Sequence, residues 1–94
     1  MTRVDIMAEL LRTCCDWRVT LEDVRGAPDK LGTPHRLTIA ARAVFIRKMF
    51  AEAVPAGHVA WALNIHPKNA RLWYQRLREA EKAWWRDAPT QKIG

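Results

Sequence analysis

Residues 61–79 read WALNIHPKNARLWYQRLRE, and one uninterrupted helix cannot run through them. Proline lacks the backbone N–H of a helix interior and its ring clashes with the carbonyl four residues back, so Pro67 opens a helix instead of sitting inside one. Just before it, Asn64 is among the non-glycine residues most tolerant of positive φ. Apolar residues recur at helical spacing on both sides, Val59 and Leu63 before the break and Ala70, Trp73 and Leu77 after it. The stretch predicts two helices joined by a tight turn at Asn64. Ala60 supplies a small residue where the two cross, and Val59, Leu63 and Ile65 face inward. Those are the demands of a helix-turn-helix.

The rest of the chain is helical in pattern as well. In TRVDIMAELLRTCCDW, Ile6, Leu10, Cys14 and Trp17 form one apolar stripe on a helix of about four turns, and its other face is expected to be charged. VTLEDVRG offers Thr20 as an N-cap, Asp23 three residues on and Gly26 as a stop, which makes a single-turn helix. GAPDKLGTP is a surface loop. From His35 to about Ala53, Ala41, Val44, Phe45, Ile46, Met49 and Phe50 cover more than one face, so this is the central helix around which the others pack. Pro55 stands at a first helical position, and a short helix follows to Asn64. The last helix runs from Pro67 to about Asp87, where Pro89 stops it. The expectation is an all-α bundle of about five helices, one domain over residues 1–88 with a frayed tail at 89–94.

Charge is distributed unevenly along the 94 residues. The net charge is +6, yet residues 1–33 hold five Lys/Arg against six Asp/Glu, or −1, and residues 34–94 hold eleven against four, or +7. One-sided positive charge points to a polyanion, and nucleic acid is the first candidate. Cys14 and Cys15 are adjacent and cannot easily bridge to each other, so they read as reduced thiols of a cytosolic protein. No run approaches the roughly 20 apolar residues of a membrane span, and MTRVDIMAELLR has acids where a signal peptide needs an apolar core. No paired carboxylates, glycine-rich phosphate loop or nucleophile–base pattern suggests an enzyme. His58 and His66 with the two cysteines match no metal-ligand spacing, so no metal or cofactor is expected.

On the last helix, Ala70, Trp73, Leu77, Ala80 and Trp84 fall within about 80° of one another at 100° per residue, and Lys68, Arg71, Gln75, Lys82 and Arg86 gather opposite. Near the N-terminal end that outer face carries Lys68, Arg71, Leu72 and Gln75, with His66 and Asn69 beside them. These side chains can donate to guanine, pair with adenine or touch a thymine methyl in the major groove. A basic helix face is often merely solvated; the turn signature and the one-sided charge favour DNA. Trp84 and Trp85 belong to packing before base stacking.

From Val4 to about Arg78 the sequence resembles the C-terminal DNA-binding domain of the bacterial replication initiator DnaA, a helix-turn-helix domain of the Trp-repressor type. IMAELLRTCCDWRVTLEDVRG is similar to that domain's opening helix and its V-x-x-x-D-L-R/K-G short helix, here Val19 to Gly26. ARAVFIRKM is similar to its ARQIAMYLARE central helix, and VPAGHVAWAL stands in the place of SLPEIGxxFG. The family's GRDHTTVxHA signature is replaced by NIHPKNARLWY, in which Lys68 and Asn69 stand where two threonines read bases. The usual origin box is therefore not carried over as the target. The basic KRRSR-like loop is reduced to Lys30, His35 and Arg36. Arg42 matches an arginine opening the family's central helix, which implies a phosphate contact, and Arg78 joins these as a phosphate candidate. Nothing resembles the initiator's nucleotide-binding domain, so no nucleotide is expected.

The expectation is a cytoplasmic, nucleoid-associated protein of a phage or mobile element that binds double-stranded DNA sequence-specifically and regulates transcription or replication. It has no membrane partner; a homodimer or a partner from the transcription or replication machinery stays open. The rival is a protein-interaction adaptor that uses the basic face and the tryptophans.

Overall fold

The computed structural model describes residues 1–25 and 35–87, with side chains in the second stretch described from Arg36 to Ala83. The loop at 26–34 with Gly26 and Lys30, the side chains of His35, Trp84, Trp85 and Arg86, and the tail from 88 lie outside it. Five helices make up the described chain: α1 (Arg3–Trp17), α2 (Leu21–Arg25), α3 (His35–Ala51), α4 (Ala56–Leu63) and α5 (Pro67–Asp87). The fold is all-α, as the periodicities predict.

Local chemistry starts these helices. At α1, Thr2 Oγ1 accepts from the Asp5 N–H at 3.2 Å and Asp5 Oδ2 accepts from the Thr2 N–H at 3.0 Å, a reciprocal capping box. The hydrogen bond from the Thr2 backbone holds the Asp5 carboxyl below its ordinary value. Thr20 caps α2 by accepting from the Asp23 N–H at 3.0 Å. Pro55 sits one position earlier than expected. It is the N-cap of α4, its carbonyl accepting from His58 and Val59, because its ψ of 143° is extended and not helical.

Three helices end alike. Arg18, Ala53 and Asn64 have φ of 54°, 59° and 58°, all in the left-handed region. After each, the next N–H reaches back five residues, Val19 to Cys14, Val54 to Met49 and Ile65 to Ala60, every one at 3.0 Å. The left-handed residue's own N–H bonds the carbonyl three residues back. This is the Schellman arrangement, which satisfies orphan carbonyls and turns the chain sharply. The residue after each turn is Val19, Val54 or Ile65, and each packs against or within the core.

The central position of α3 holds: it packs against each of the other four helices. Ala41, Phe45, Ile46 and Met49 are buried with Ile6 and Leu10 of α1, Val24 of α2, Val59, Ala62 and Leu63 of α4 and Ala70 of α5. Val44, expected inside, is 42% exposed, because α3 buries one broad stripe and not its whole circumference. Lys48 of α3 reaches Glu9 of α1 at 2.7 Å, and this bond keeps the Glu9 carboxyl low. Arg47 reaches Glu81 of α5.

Two expected faces need correction. Ala80 is exposed, because the inward stripe of α5 runs through Ala70, Trp73, Tyr74, Leu77 and Glu81. The outer face of α1 is not purely charged, since Val4, Ala8, Leu11 and Cys15 are all exposed on it. Cys14 is buried and Cys15 exposed, both free; burial, then the neighbouring Cys15, pushes the Cys14 thiol up. Among the described residues no helix is long and apolar enough to cross a membrane.

Candidate nucleic-acid interface

The segment from α4 to α5 positions the candidate site. Asn64, at φ 58° and ψ 45°, closes α4, and Ala60 beneath the turn is 1% exposed. Helix α5 then opens at Pro67, with the Asn69 and Ala70 N–H groups bonded to the His66 carbonyl at 2.9 and 3.2 Å. His66 adds a side-chain cap, its Nδ1 accepting from the Lys68 N–H at 3.1 Å. Nδ1 must be unprotonated to accept, so the Nε2–H is the donor this ring has left to offer.

Anchoring of α5 comes from its inner stripe. Ala70 is fully buried, Trp73 and Leu77 are half-buried, and the Tyr74 ring stacks on Phe50 of α3 with centroids 4.4 Å apart and planes 9° from parallel. The opposite side of the helix is left to solvent. Lys68, Arg71, Leu72 and Gln75 are exposed there, within about 100° of one another by helix geometry, and Leu72 is 40% exposed. Asn69, also exposed, falls on one flank beside Arg76. Arg78 and Lys82 follow Arg71 along the other flank, and the Arg78 guanidinium lies 5.8 Å from the centre of the Tyr74 ring.

An acid sits farther along this face, where Glu79 accepts from Gln75 Nε2 at 3.5 Å. The cationic portion is thus the N-terminal half of α5 plus its Arg71–Lys82 flank. Chemically it can neutralise phosphates, donate to guanine O6 and N7 through Arg71 or Lys68, and meet adenine through Gln75.

The phosphate candidates separate. Arg36 and Arg78 are exposed. Lys30 and the His35 side chain lie outside the described residues. Arg42, expected to meet phosphate, is instead only 5% exposed, and its Nε donates to the Val24 carbonyl at the end of α2 at 2.6 Å. Burial pushes its guanidinium below the ordinary value. Helix α2 ends with carbonyls that lack helical partners, and Arg42 satisfies one of them while locking α2 to α3.

Two cations escape sequence reasoning. Arg76 is exposed on the Asn69 flank of α5, and its charge alone signals it. Arg25 lies in a hollow with Leu21, Glu22 and Asn64, and its buried Nε has no hydrogen-bond partner. Arg25 belongs to the charge-neutral N-terminal third, so net-charge accounting hides it. Among the described residues no three His, Cys, Asp or Glu side chains come together to hold a metal.

No family model, curated protein or solved structure matches this chain.

Proposed function

We propose that this protein binds double-stranded DNA sequence-specifically, with α4 and α5 acting as a helix-turn-helix and the N-terminal half of α5 entering the major groove. The observation that carries this reading is the combination at the break. A left-handed Asn64 redirects the chain, and the helix after it exposes Lys68, Arg71, Leu72 and Gln75 together on the side away from the core. A merely solvated helix face needs neither the sharp turn nor the excess of cations over acids. Lys68, Arg71, Leu72 and Gln75 read base edges, with Asn69 at one margin and His66 offering Nε2. Arg36, Arg76 and Arg78 meet phosphates, which set register without reading sequence.

The likeness to the initiator's DNA-binding domain supports the same reading, with a different target because the base-reading threonines are replaced. The role in the cell is regulation of transcription or replication at the nucleoid, in a phage or mobile element. No nucleotide or other cofactor takes part.

Titrating salt against binding to random duplex tests the reading. Each phosphate neutralised on B-DNA contributes about −0.9 to the slope of log K against log salt. A slope of several units is expected; a flat response would favour the rival in which the exposed apolar and aromatic surface docks a protein.

A further inference from the structure

Helix α1 carries a second apolar stripe. Val4, Ala8, Leu11 and Cys15, spaced four, three and four apart, fall within about 60° on a helix of 100° per residue, and all four are exposed. Val4 is 77% and Leu11 48% exposed. This stripe lies on the far side of α1 from Ile6, Leu10 and Cys14, which form its contact with the core. Alternating spacings of four and three are the seam of a helix pair.

We propose that a second copy of this chain covers the stripe, with α1 packed antiparallel on its twin about a twofold axis midway between Ala8 and Leu11. The sequence complements itself in that register. Val4 of one copy faces Cys15 of the other, and Leu11 faces Ala8, so each large residue meets a smaller one. Asp5 and Arg12 flank the seam on the same edge, between the two layers, and antiparallel packing sets Asp5 of each copy beside Arg12 of the other. A parallel pair, with its twofold along the helices, would put Asp5 of one copy and Arg12 of the other on opposite sides of the seam, where they cannot meet. Charge complementarity therefore selects both the partner and its direction. Arg12 is available for this: its side chain is 67% exposed, and its pairing with Glu9 spans 3.5 Å. On the other edge Met7 and Trp61 of α4 widen the apolar contact, Trp61 being held by the Arg3 guanidinium 5.1 Å from its ring centre.

Sedimentation equilibrium without DNA, followed by oxidative cross-linking, tests the pairing independently of the DNA reading. The wild type should shift with concentration from 10.9 kDa towards twice that mass. Leu11→Glu should weaken the pairing by about tenfold or more while keeping the wild-type circular dichroism and melting temperature, since Leu11 contributes little to the monomer core. Arg12→Asp should weaken it severalfold. Mild oxidation of Val4→Cys should give a covalent dimer that Cys15→Ser abolishes, whereas the wild type should not cross-link, because its two Cys15 residues stand roughly 16 Å apart along the pair. A wild type that stays monomeric, or a Leu11→Glu variant that dimerises unchanged, overturns the proposal. Wild-type cross-linking through Cys15, or no cross-linking of Val4→Cys, overturns the antiparallel register.

Discussion

At the scale of single residues, the same two-bond helix ending occurs at Arg18, Ala53 and Asn64, and only the last is legible in the sequence. Asparagine advertises tolerance of positive φ, whereas arginine and alanine do not, so those two turns are imposed by the apolar residue that follows each. The imposition has a measurable cost. An L-residue in the left-handed region loses about 1–2 kcal/mol; glycine removes that strain, and its greater freedom in the unfolded chain offsets part of the gain. Ala53→Gly should therefore raise stability by about 0.5–1 kcal/mol in urea unfolding. Asn64→Gly should be neutral or mildly stabilising and Asn64→Val should cost on the order of 1–2 kcal/mol. Valine outlasting glycine at position 64 in thermal melts would mean that α4 and α5 are one helix. Arg42 reverses its expected behaviour for a different reason: sequence shows a cation but not whether a buried carbonyl claims it. Arg42→Met should cost about 1–3 kcal/mol of stability through the orphaned Val24 carbonyl. The salt slope of DNA binding should stay at its wild-type value, whereas a phosphate contact would reduce that slope by about one.

At the scale of elements, α2 was predicted from Thr20 and Asp23, and α5 from Pro67, because caps and prolines act locally. Which face each helix buries is a different matter. Periodicity puts the α5 stripe on Ala70, Trp73, Leu77 and Ala80; the structure turns the first three inward and leaves Ala80 exposed, since Tyr74 stacks on Phe50 and the helix presents Glu81 to Arg47. An aromatic residue with a polar tip is ambiguous in a wheel, and only the partner's position decides it. The Phe50–Tyr74 stack holds α5 against α3 and so sets the angle at which the basic face is offered. A double-mutant cycle with Phe50→Leu and Tyr74→Leu should give a coupling of about 0.5–1.5 kcal/mol in unfolding free energy. A coupling near zero would show that the two rings contribute only by area. Helix α1 illustrates the converse limit. Its inner stripe was evident from Ile6, Leu10 and Cys14, while Val4, Ala8, Leu11 and Cys15 are interleaved with charges and emerge as a face only once the inward direction is known.

At the scale of the whole molecule, the bundle divides the labour. A core centred on α3 fixes α5 from one side, the left-handed turn at Asn64 aims it, and in the proposed DNA-binding role the +7 excess of residues 34–94 supplies the long-range attraction. Helices α1 and α2 pack against α3 and α4, and α1 keeps its exposed apolar stripe. Base readers and phosphate binders should part company in binding experiments, because only the former discriminate between sequences. The decisive measurement is the affinity of wild type, Arg71→Ala and Gln75→Ala for a duplex selected from random sequence and for a scrambled duplex, at one salt concentration. Each substitution should weaken binding to the selected duplex by about 1–3 kcal/mol, barely change the melting temperature, and narrow the gap between the two duplexes. If both variants keep the wild-type preference for the selected site, α5 does not read DNA.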